Sequence, residues 1–170
     1  GGGSPPTADT TPPVITITGA TTANHEQGTT YTDPGATATD AVDGSVSVST
    51  SGSVGADAGS YTITYTATDS SGNTATAMRT VIVADTTAPI ITLMGSASMT
   101  IQEGTPFSDP GATASDTVDG SVTVTTTGTV ESAPGTYELT YTATDAAGNT
   151  ATSMRTVTVE AAGGTAPDMI

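Results

Sequence analysis

The chain carries the same stretch of sequence twice. When its 170 residues are shifted by 76, residues 13–84 align with residues 89–160 without a gap, and 40 of the 72 pairs are identical. A unit that recurs at a fixed spacing indicates a repeated folding unit. The sequence therefore predicts two domains, at 13–85 and 86–161, between a flexible Gly/Ser/Pro/Thr linker at 1–12 and a tail at 162–170.

The most strongly repeated part of each unit is a pair of strands joined by a tight turn. Residues 61–83 read YTITYTATDSSGNTATAMRTVIV, and residues 137–159 read YELTYTATDAAGNTATSMRTVTV. Tyr61, Ile63 and Tyr65 alternate with threonines, which is the period of a strand with one buried and one solvated face. This part of the sequence predicts a two-stranded hairpin in each unit.

The sequence also predicts the buried face of the second hairpin strand and the residues that form the turn. Val81 and Val83 share one face, which we expect to be buried, whereas Ile82 is replaced by Thr158 in the second copy and should be exposed. Gly72 and Asn73 occupy the turn, and both residue types tolerate the positive φ that short hairpin loops require.

A tyrosine begins the first strand of each hairpin. Tyr61 and Tyr137 each follow a glycine by two residues, and a tyrosine at this place, with its hydroxyl bonded to upstream backbone, is the tyrosine corner of immunoglobulin-type sandwiches. In antibody domains a cysteine comes two residues later. Ile63 and Leu139 stand there instead, so an apolar contact is expected to replace the disulfide.

Turn residues divide the rest of each unit into short segments. Asp-Pro-Gly at 33–35 and the Asp-Gly pair at 43–44 are turn signals. The pattern predicts an all-β protein of two tandem Ig-like antiparallel β-sandwiches, with about seven strands each. Besides the hairpin, the strands expected in the first unit are residues 14–18, 36–39, 45–50 and 52–54, with residues 24–29 leading to a turn at Gly28.

Composition excludes several classes of function. The chain contains no cysteine and no lysine, so thiol chemistry, disulfides and Lys–Asn isopeptide bonds are impossible. A net charge of −15 argues against nucleic acid as a partner, since a polyanion would be repelled. No apolar run reaches the roughly 18 residues of a membrane span.

Two motifs occur in both units: D-P-G-A-x-A-x-D-x-x-D-G from Asp33 and Asp109, and Y-T-A-T-D-x-x-G-N-x-A from Tyr65 and Tyr141. A third, P-G-T-Y, occurs in the second unit at 134–137. With these motifs, residues 12–160 resemble bacterial immunoglobulin-like repeat domains. Such repeats occur in surface adhesins, beside the catalytic domains of secreted hydrolases and in an insecticidal crystal protein. The resemblance implies the fold and leaves the function open.

The function expected from this resemblance is that of a non-catalytic extracellular module that extends, presents or adheres at a bacterial cell surface. One alternative is a self-assembling filament subunit, in which an apolar end segment (residues 14–17 or Met169-Ile170) completes a sheet of the next chain. Another is an accessory domain of a secreted hydrolase. Expected partners are other protein modules or the chain itself. Gly1–Ser4 resembles the segment that follows a lipidated cysteine, which would place a lipid anchor upstream of Gly1, although an artificial extension would look the same.

Acidic residues that recur in both units are candidates for a calcium site. Asp40 and Asp43 share one turn, and Asp69 and Asp85 could serve a site near the junction of the units. Aspartates also shape turns through their own backbone, and that alternative needs no metal. The candidate ligands are Asp40, Asp43, Asp69, Asp85, Asp116, Asp119 and Asp145, and no other cofactor is expected.

The remaining polar and aromatic residues favour a structural role over catalysis. Arg79 and Arg155 are in phase with the buried valines, so each should pack along a tyrosine or pair with an aspartate rather than bind an anion. His25 has no counterpart in the second unit, so no duplicated His chemistry exists. The six aromatic residues fall at equivalent positions, which is typical of core residues: Tyr31/Phe107, Tyr61/Tyr137 and Tyr65/Tyr141. No enzymatic activity is predicted.

Overall fold

The computed structural model describes residues 8–163, and within them all regular structure is β-strand. The chain divides into two compact units, with the boundary between Asp85 and Thr86. The glycine-rich start at 1–7, from which a lipid anchor upstream of Gly1 was expected, and the end of the tail at 164–170 lie outside the described residues. The predicted extents of linker and tail therefore stay predictions.

The first unit is a sandwich of two sheets. A three-stranded sheet has the order β1-β3-β4, and a four-stranded sheet has the order β2-β7-β6-β5. The strands are β1 (Val14–Ile17), β2 (Thr22–Glu26), β3 (Ala36–Asp40), β4 (Gly44–Val46), β5 (Val48–Ser51), β6 (Gly59–Thr68) and β7 (Thr74–Ala84).

The second unit repeats this arrangement strand for strand. Its sheets have the orders β8-β10-β11 and β9-β14-β13-β12, so the predicted all-β fold of two tandem Ig-like sandwiches is confirmed. The strands are β8 (Ile90–Leu93), β9 (Ser98–Gln102), β10 (Ala112–Asp116), β11 (Gly120–Val122), β12 (Val124–Thr127), β13 (Gly135–Thr144) and β14 (Thr150–Glu160).

The core of each unit lies between its two sheets and is built from the hairpin faces that the sequence predicted. In the first unit Tyr65 and Val81 have no exposed surface, and Ile63 is 4% exposed. Ile82, on the opposite face of β7, is 41% exposed. Ile15 of β1 packs against this cluster from the facing sheet, so burial of the alternate face of the hairpin holds the two sheets together.

One strand pair in each unit is parallel. β2 pairs with β7 from Thr22 opposite Thr80 to Glu26 opposite Ala84, whereas the other pairs in the unit are antiparallel. The ladder is extended at its two ends by Thr80 N–H donating to the Thr21 carbonyl (2.9 Å) and by Gln27 N–H donating to the Ala84 carbonyl (3.0 Å). β9 pairs with β14 in the same way. Local sequence patterns gave no indication of this pairing.

Two of the expected strands are corrected by the structure. Residues 45–50 do not form one strand: the chain leaves the first sheet after Val46, which pairs with Ala38, and enters the second at Val48, which pairs with Ala67. Residues 52–54 are not a strand. Gly52 has a φ of +93°, which no extended strand accommodates, and this conformation ends β5.

The hairpin turn uses its two predicted residues differently. Gly72 has a φ of +90°, but among the described residues positive φ occurs only at glycine, so the expectation for Asn73 was wrong. Asn73 instead acts through hydrogen bonds, since its backbone N–H and its side-chain Nδ2 both donate to the Asp69 carboxylate (2.8 and 2.7 Å). A side-chain clamp across the turn removes the need for a second left-handed residue.

The tyrosine corner is present in both units. Tyr61 donates its hydroxyl hydrogen to the Asp57 carbonyl (2.8 Å), and Tyr137 donates to the Ala133 carbonyl (2.9 Å). Each bond joins the start of the long hairpin strand to the turn four residues earlier. The corner therefore persists in a domain without the disulfide that accompanies it in antibodies.

Tyr137→Phe should lower the free energy of unfolding of the second unit by about 0.5–1.5 kcal/mol, the net value of one hydrogen bond whose acceptor stays partly hydrated. Chemical denaturation followed by far-UV circular dichroism measures it. Tyr61→Phe is the matched variant in the first unit and should have a similar effect there. An unchanged midpoint in both variants would mean that the corner contributes nothing to stability.

The arginine of the first unit is buried and fully engaged. Arg79 is 1% exposed. Its Nε donates to the Tyr65 hydroxyl (2.9 Å) and lies 3.1 Å from Oδ1 of Asp33, while Tyr65 donates to the same carboxylate oxygen (2.7 Å). The other guanidinium nitrogens donate to the carbonyls of Thr18 (2.6 Å) and Ala20. These donors are used inside the unit, as expected for a structural rather than an anion-binding arginine.

The second unit contains a similar network, in which Nη1 of Arg155 pairs with the aspartate and Nε is buried without a hydrogen-bond partner. Arg155 has no exposed surface, forms an ion pair with Asp109 and donates to the Met94 carbonyl. Its guanidinium carbon lies 5.5 Å from the centre of the Tyr141 ring. Burial and the neighbouring Asp109 raise the pKa of Tyr141 to about 12, so at neutral pH its hydroxyl is protonated and donates to Asp109 (2.6 Å).

Candidate metal centre

Three aspartate side chains from separate parts of the first unit meet at the turns beside the hairpin. Asp9 lies in the leading segment before β1, Asp40 is the last residue of β3, and Asp69 follows β6 directly. Each offers a carboxylate oxygen, and these three oxygens lie within 4.8 Å of one another. The fold therefore joins two of the predicted ligands, Asp40 and Asp69, to a third aspartate, Asp9, that is not among the predicted ligands.

Asp40 is fixed by the turn that follows β3. Its Oδ1 accepts hydrogen bonds from the backbone N–H of Val42 (2.7 Å) and of Asp43 (3.1 Å), which is how an aspartate shapes its own turn. Asp40 is only 8% exposed, and its second oxygen, Oδ2, is buried without a hydrogen-bond partner. Turn formation thus accounts for one oxygen of this carboxylate and leaves the other unexplained.

Asp69 is held by the hairpin turn. It is 7% exposed and accepts hydrogen bonds from the backbone N–H and the side-chain amide of Asn73. Burial alone would raise the pKa of Asp69, but hydrogen bonds from the Asn73 side chain and from the backbone of Asn73, Ser71 and Gly72 outweigh it and leave the pKa below its ordinary value. The carboxylate is therefore ionised at neutral pH.

Asp9 is attached to the same turn through its backbone. The Asn73 side-chain amide donates to the Asp9 carbonyl (3.2 Å), and Oδ1 of Asp9 accepts from the backbone N–H of Thr11 (3.0 Å). Its Oδ2 is buried and accepts no hydrogen bond. Asp9 thus resembles Asp40 in having one satisfied oxygen and one that is not.

Asp43, another predicted ligand, contacts the hairpin turn. Its two carboxylate oxygens accept hydrogen bonds from the hydroxyl (2.8 Å) and the backbone N–H (2.6 Å) of Ser70. This pair of bonds ties the turn after β3 to the hairpin turn, which keeps Asp40 and Asp69 at a fixed separation. Asp43 is therefore a positioning residue for the group of three carboxylates.

The second unit repeats these turn contacts. Oδ1 of Asp116 accepts from the backbone N–H of Val118 and Asp119 (2.7 and 3.1 Å), and its Oδ2 is again buried without a partner. Asp119 accepts from the backbone N–H of Ala146 (2.6 Å), and Asp145 accepts from the Asn149 side chain (2.9 Å). The predicted ligands of this unit therefore occupy the places of Asp40, Asp43 and Asp69.

The predicted ligand Asp85 and the residue Asp9, which was not predicted, occupy equivalent positions of the repeat. Asp85 directly follows β7, which ends at Ala84, and it stands 76 residues after Asp9. The four residues Ala-Asp-Thr-Thr occur at 8–11 and again at 84–87. The sequence does not single out Asp9 because the proline- and threonine-rich start is typical of a linker, but extending the repeat by a few residues aligns Asp9 with Asp85.

Comparisons with known proteins found similar solved structures. The solved structure of ZmpB from Clostridium perfringens, which contains a catalytic domain and two CBM51 domains, matches with a TM-score of 0.51 at 14% identity over 88% of this chain, and the chain spans 31% of its length. A lipoprotein of Bacteroides thetaiotaomicron matches with a TM-score of 0.40 at 19% identity, over 84% of this chain and 98% of its own. No curated protein matches.

The match to ZmpB shows the fold alone, and the family follows from the sequence of the two units. Among the described residues no helix is long and apolar enough to cross a membrane. The sequence model of the protein family "bacterial surface protein, Ig-like domain" matches residues 15–83 and again residues 91–159. Because these two matches cover most of the chain, the protein belongs to the family of bacterial surface protein Ig-like domains, of which it contains two in tandem.

Proposed function

We propose that the chain is a non-catalytic extracellular module that extends or presents other protein modules at a bacterial cell surface and resists tension along the chain. The observation that carries this proposal is the parallel pairing of β2 with β7, and of β9 with β14. Membership of a bacterial surface family supports the location. The buried ion pairs of Arg79 with Asp33 and of Arg155 with Asp109 support a structural role, because each pair lies within one unit.

The direction of the paired strands determines how tension loads their hydrogen bonds. In a parallel pair, the start of one strand and the end of the other lie at opposite ends of the ladder. Tension that enters through β1 and β2 and leaves through β7 therefore pulls the two strands along their length in opposite directions. The hydrogen bonds between β2 and β7 are then loaded together rather than broken one after another, which raises the force that the unit withstands.

Pulling single chains by force spectroscopy tests the proposal. Two separate unfolding events are expected, each lengthening the chain by roughly 20–25 nm, because a unit of about 70 residues extends at about 3.3–3.6 Å per residue. The chain should be monomeric by light scattering before pulling. A strand-exchanged oligomer would instead support the filament alternative, for which the exposed Val14 (66%) and Ile90 (70%) on edge strands offer apolar contacts.

Proline substitutions in β2 test whether the hydrogen bonds between β2 and β7, rather than the overall stability of the unit, determine the unfolding force. Hydrogen-bonding residues alternate along a strand, and Thr21 and Gln27 bond to β7, so Ala23 lies in phase with them and Asn24 faces the free edge. Ala23→Pro should lower the unfolding force of one event markedly, since proline removes a donor of the ladder. Asn24→Pro, which carries the same ring on the outer side, is the matched control. Equal forces in the two variants would contradict a mechanical role of the parallel pair.

A further inference from the structure

We propose that Asp9, Asp40 and Asp69 form a calcium site in the first unit, and that the bound ion fastens the leading segment to the turns after β3 and β6. The inference concerns a ligand and is independent of the mechanical role proposed above. It adds Asp9 to the residues that the sequence singled out, and it excludes Asp43 from direct contact with the ion.

Two buried carboxylate oxygens without hydrogen-bond partners support a bound cation. Oδ2 of Asp40 is buried in a residue that is 8% exposed, and Oδ2 of Asp9 is also buried, yet neither accepts a hydrogen bond. Buried polar atoms in folded proteins are nearly always paired, and an unpaired carboxylate oxygen is especially unfavourable. A cation bound among the three carboxylates would satisfy both atoms. The turn-forming contacts of Asp40 use its other oxygen, Oδ1, and remain intact. Both oxygens of Asp69 accept hydrogen bonds from Asn73, so Asp69 would bind the ion through a second lone pair of one oxygen.

The charge of the chain is the second argument. Lysine and arginine together number two, and these arginines are buried in networks with Asp33 and Asp109. His25 contacts Thr29 and Tyr31 instead. Three carboxylates held within 4.8 Å of one another therefore face no basic side chain that could neutralise them. An ion from solution is the available source of positive charge.

The donor set favours calcium over other metals. Each ligand is a carboxylate oxygen, with no histidine or cysteine in the group, and calcium takes such oxygen ligands at about 2.3–2.6 Å. Oxygens on opposite sides of one calcium ion are thus about 4.8 Å apart, the limit within which these three lie. Zinc prefers nitrogen and sulfur ligands, and magnesium requires a closer, near-octahedral arrangement. Water molecules and the flexible coordination of calcium can complete the shell.

Calorimetric titration of the metal-free chain with calcium chloride tests the proposal. We expect a dissociation constant of about 10⁻⁴ to 10⁻³ M, as in extracellular calcium modules. Asp9→Asn should remove one bound calcium per chain, or weaken that site at least tenfold. Asp9 lies outside the strands, and asparagine keeps an oxygen for the Thr11 N–H, so the variant should fold and melt like the unaltered chain in chelator. Magnesium chloride at the same ionic strength should bind at least tenfold more weakly.

The matched control is Asp57→Asn, which removes the same charge from an exposed residue of the same unit. It should leave calcium binding unchanged, because the substitution keeps the backbone carbonyl of Asp57 that accepts from Tyr61. The proposal is overturned if calcium gives no binding heat up to 10 mM, if Asp9→Asn and Asp57→Asn bind calcium equally, or if magnesium binds as well as calcium. The last two results would indicate diffuse attraction to an acidic surface.

Discussion

Replacing Arg79 with methionine is expected to destabilise the first unit by about 3–5 kcal/mol, the cost of removing one partner from a buried ion pair. Methionine fills much of the volume but donates no hydrogen bond. Asp33 would keep a charge with no cation beside it, and the carbonyls of Thr18 and Ala20 would lose their donors. Since a domain of this size has a total stability of about 4–11 kcal/mol, much of it would be lost.

Urea denaturation of the chain measures this effect, and the second unit provides an internal reference. The transition of the first unit should move to lower urea, whereas that of the unit containing Arg155 should not. Adding Asp33→Asn to Arg79→Met should restore part of the stability, because the amide removes the unpaired charge. Should the single and double variants unfold at the same urea concentration, the ion pair would not be the source of the loss.

Gly52→Ala is also expected to lower the free energy of unfolding of the first unit by a large amount. A Cβ at this position would lie 2.3 Å from the backbone carbonyl oxygen of Thr62, and the φ of +93° is unfavourable for any side chain. Gly72 has nearly the same φ of +90° but no atom within 4 Å of the added carbon. Gly72→Ala should therefore cost about 1–2 kcal/mol from backbone strain, and Gly52→Ala about 1–3 kcal/mol more, since the backbone of β6 must move.

The difference between these two variants is the informative quantity, because strain at positive φ cancels in it. Thermal and urea unfolding of both proteins give that difference directly. Gly128→Ala and Gly148→Ala repeat the comparison in the second unit. A Cβ at Gly128 would lie 2.3 Å from the carbonyl oxygen of Glu138, whereas a Cβ at Gly148 would have no atom within 4 Å. If the alanine variants within each pair are equally stable, the close approach of the chain to the long strand is not a constraint on the fold.

The sequence predicted what depends on residues near one another. The alternation from Tyr61 to Ala67 determined which face of β6 is buried, because side chains of a strand point to opposite sides in turn. The corner bond of Tyr61 spans four residues, and the clamp from Asn73 to Asp69 spans four as well. Such contacts form wherever the local segment folds, so they can be inferred from a short stretch.

Two of the three residues of the candidate site, Asp40 and Asp69, were predicted, because they lie in turns that a short stretch of sequence reveals. Asp40 and Asp69 stand in recognisable turn motifs, and their roles in those turns are local. That they approach each other, and that Asp9 joins them, depends on how the sheet of β1 and β3 lies against the sheet of β6. Asp43 appeared equivalent to Asp40 in the sequence, but its contact with Ser70, 27 residues away, gives it a separate role.

The sequence by itself determined the repeat, the strand content and the identity of the buried hairpin face, since each of these follows from periodicity and turn chemistry. Only the tertiary structure decided the parallel pairing of β2 with β7, the passage of the chain between sheets after Val46, and the partners of Arg79. These features join residues far apart in the chain. They are selected by the packing of two sheets around one core, which no local pattern of residues encodes.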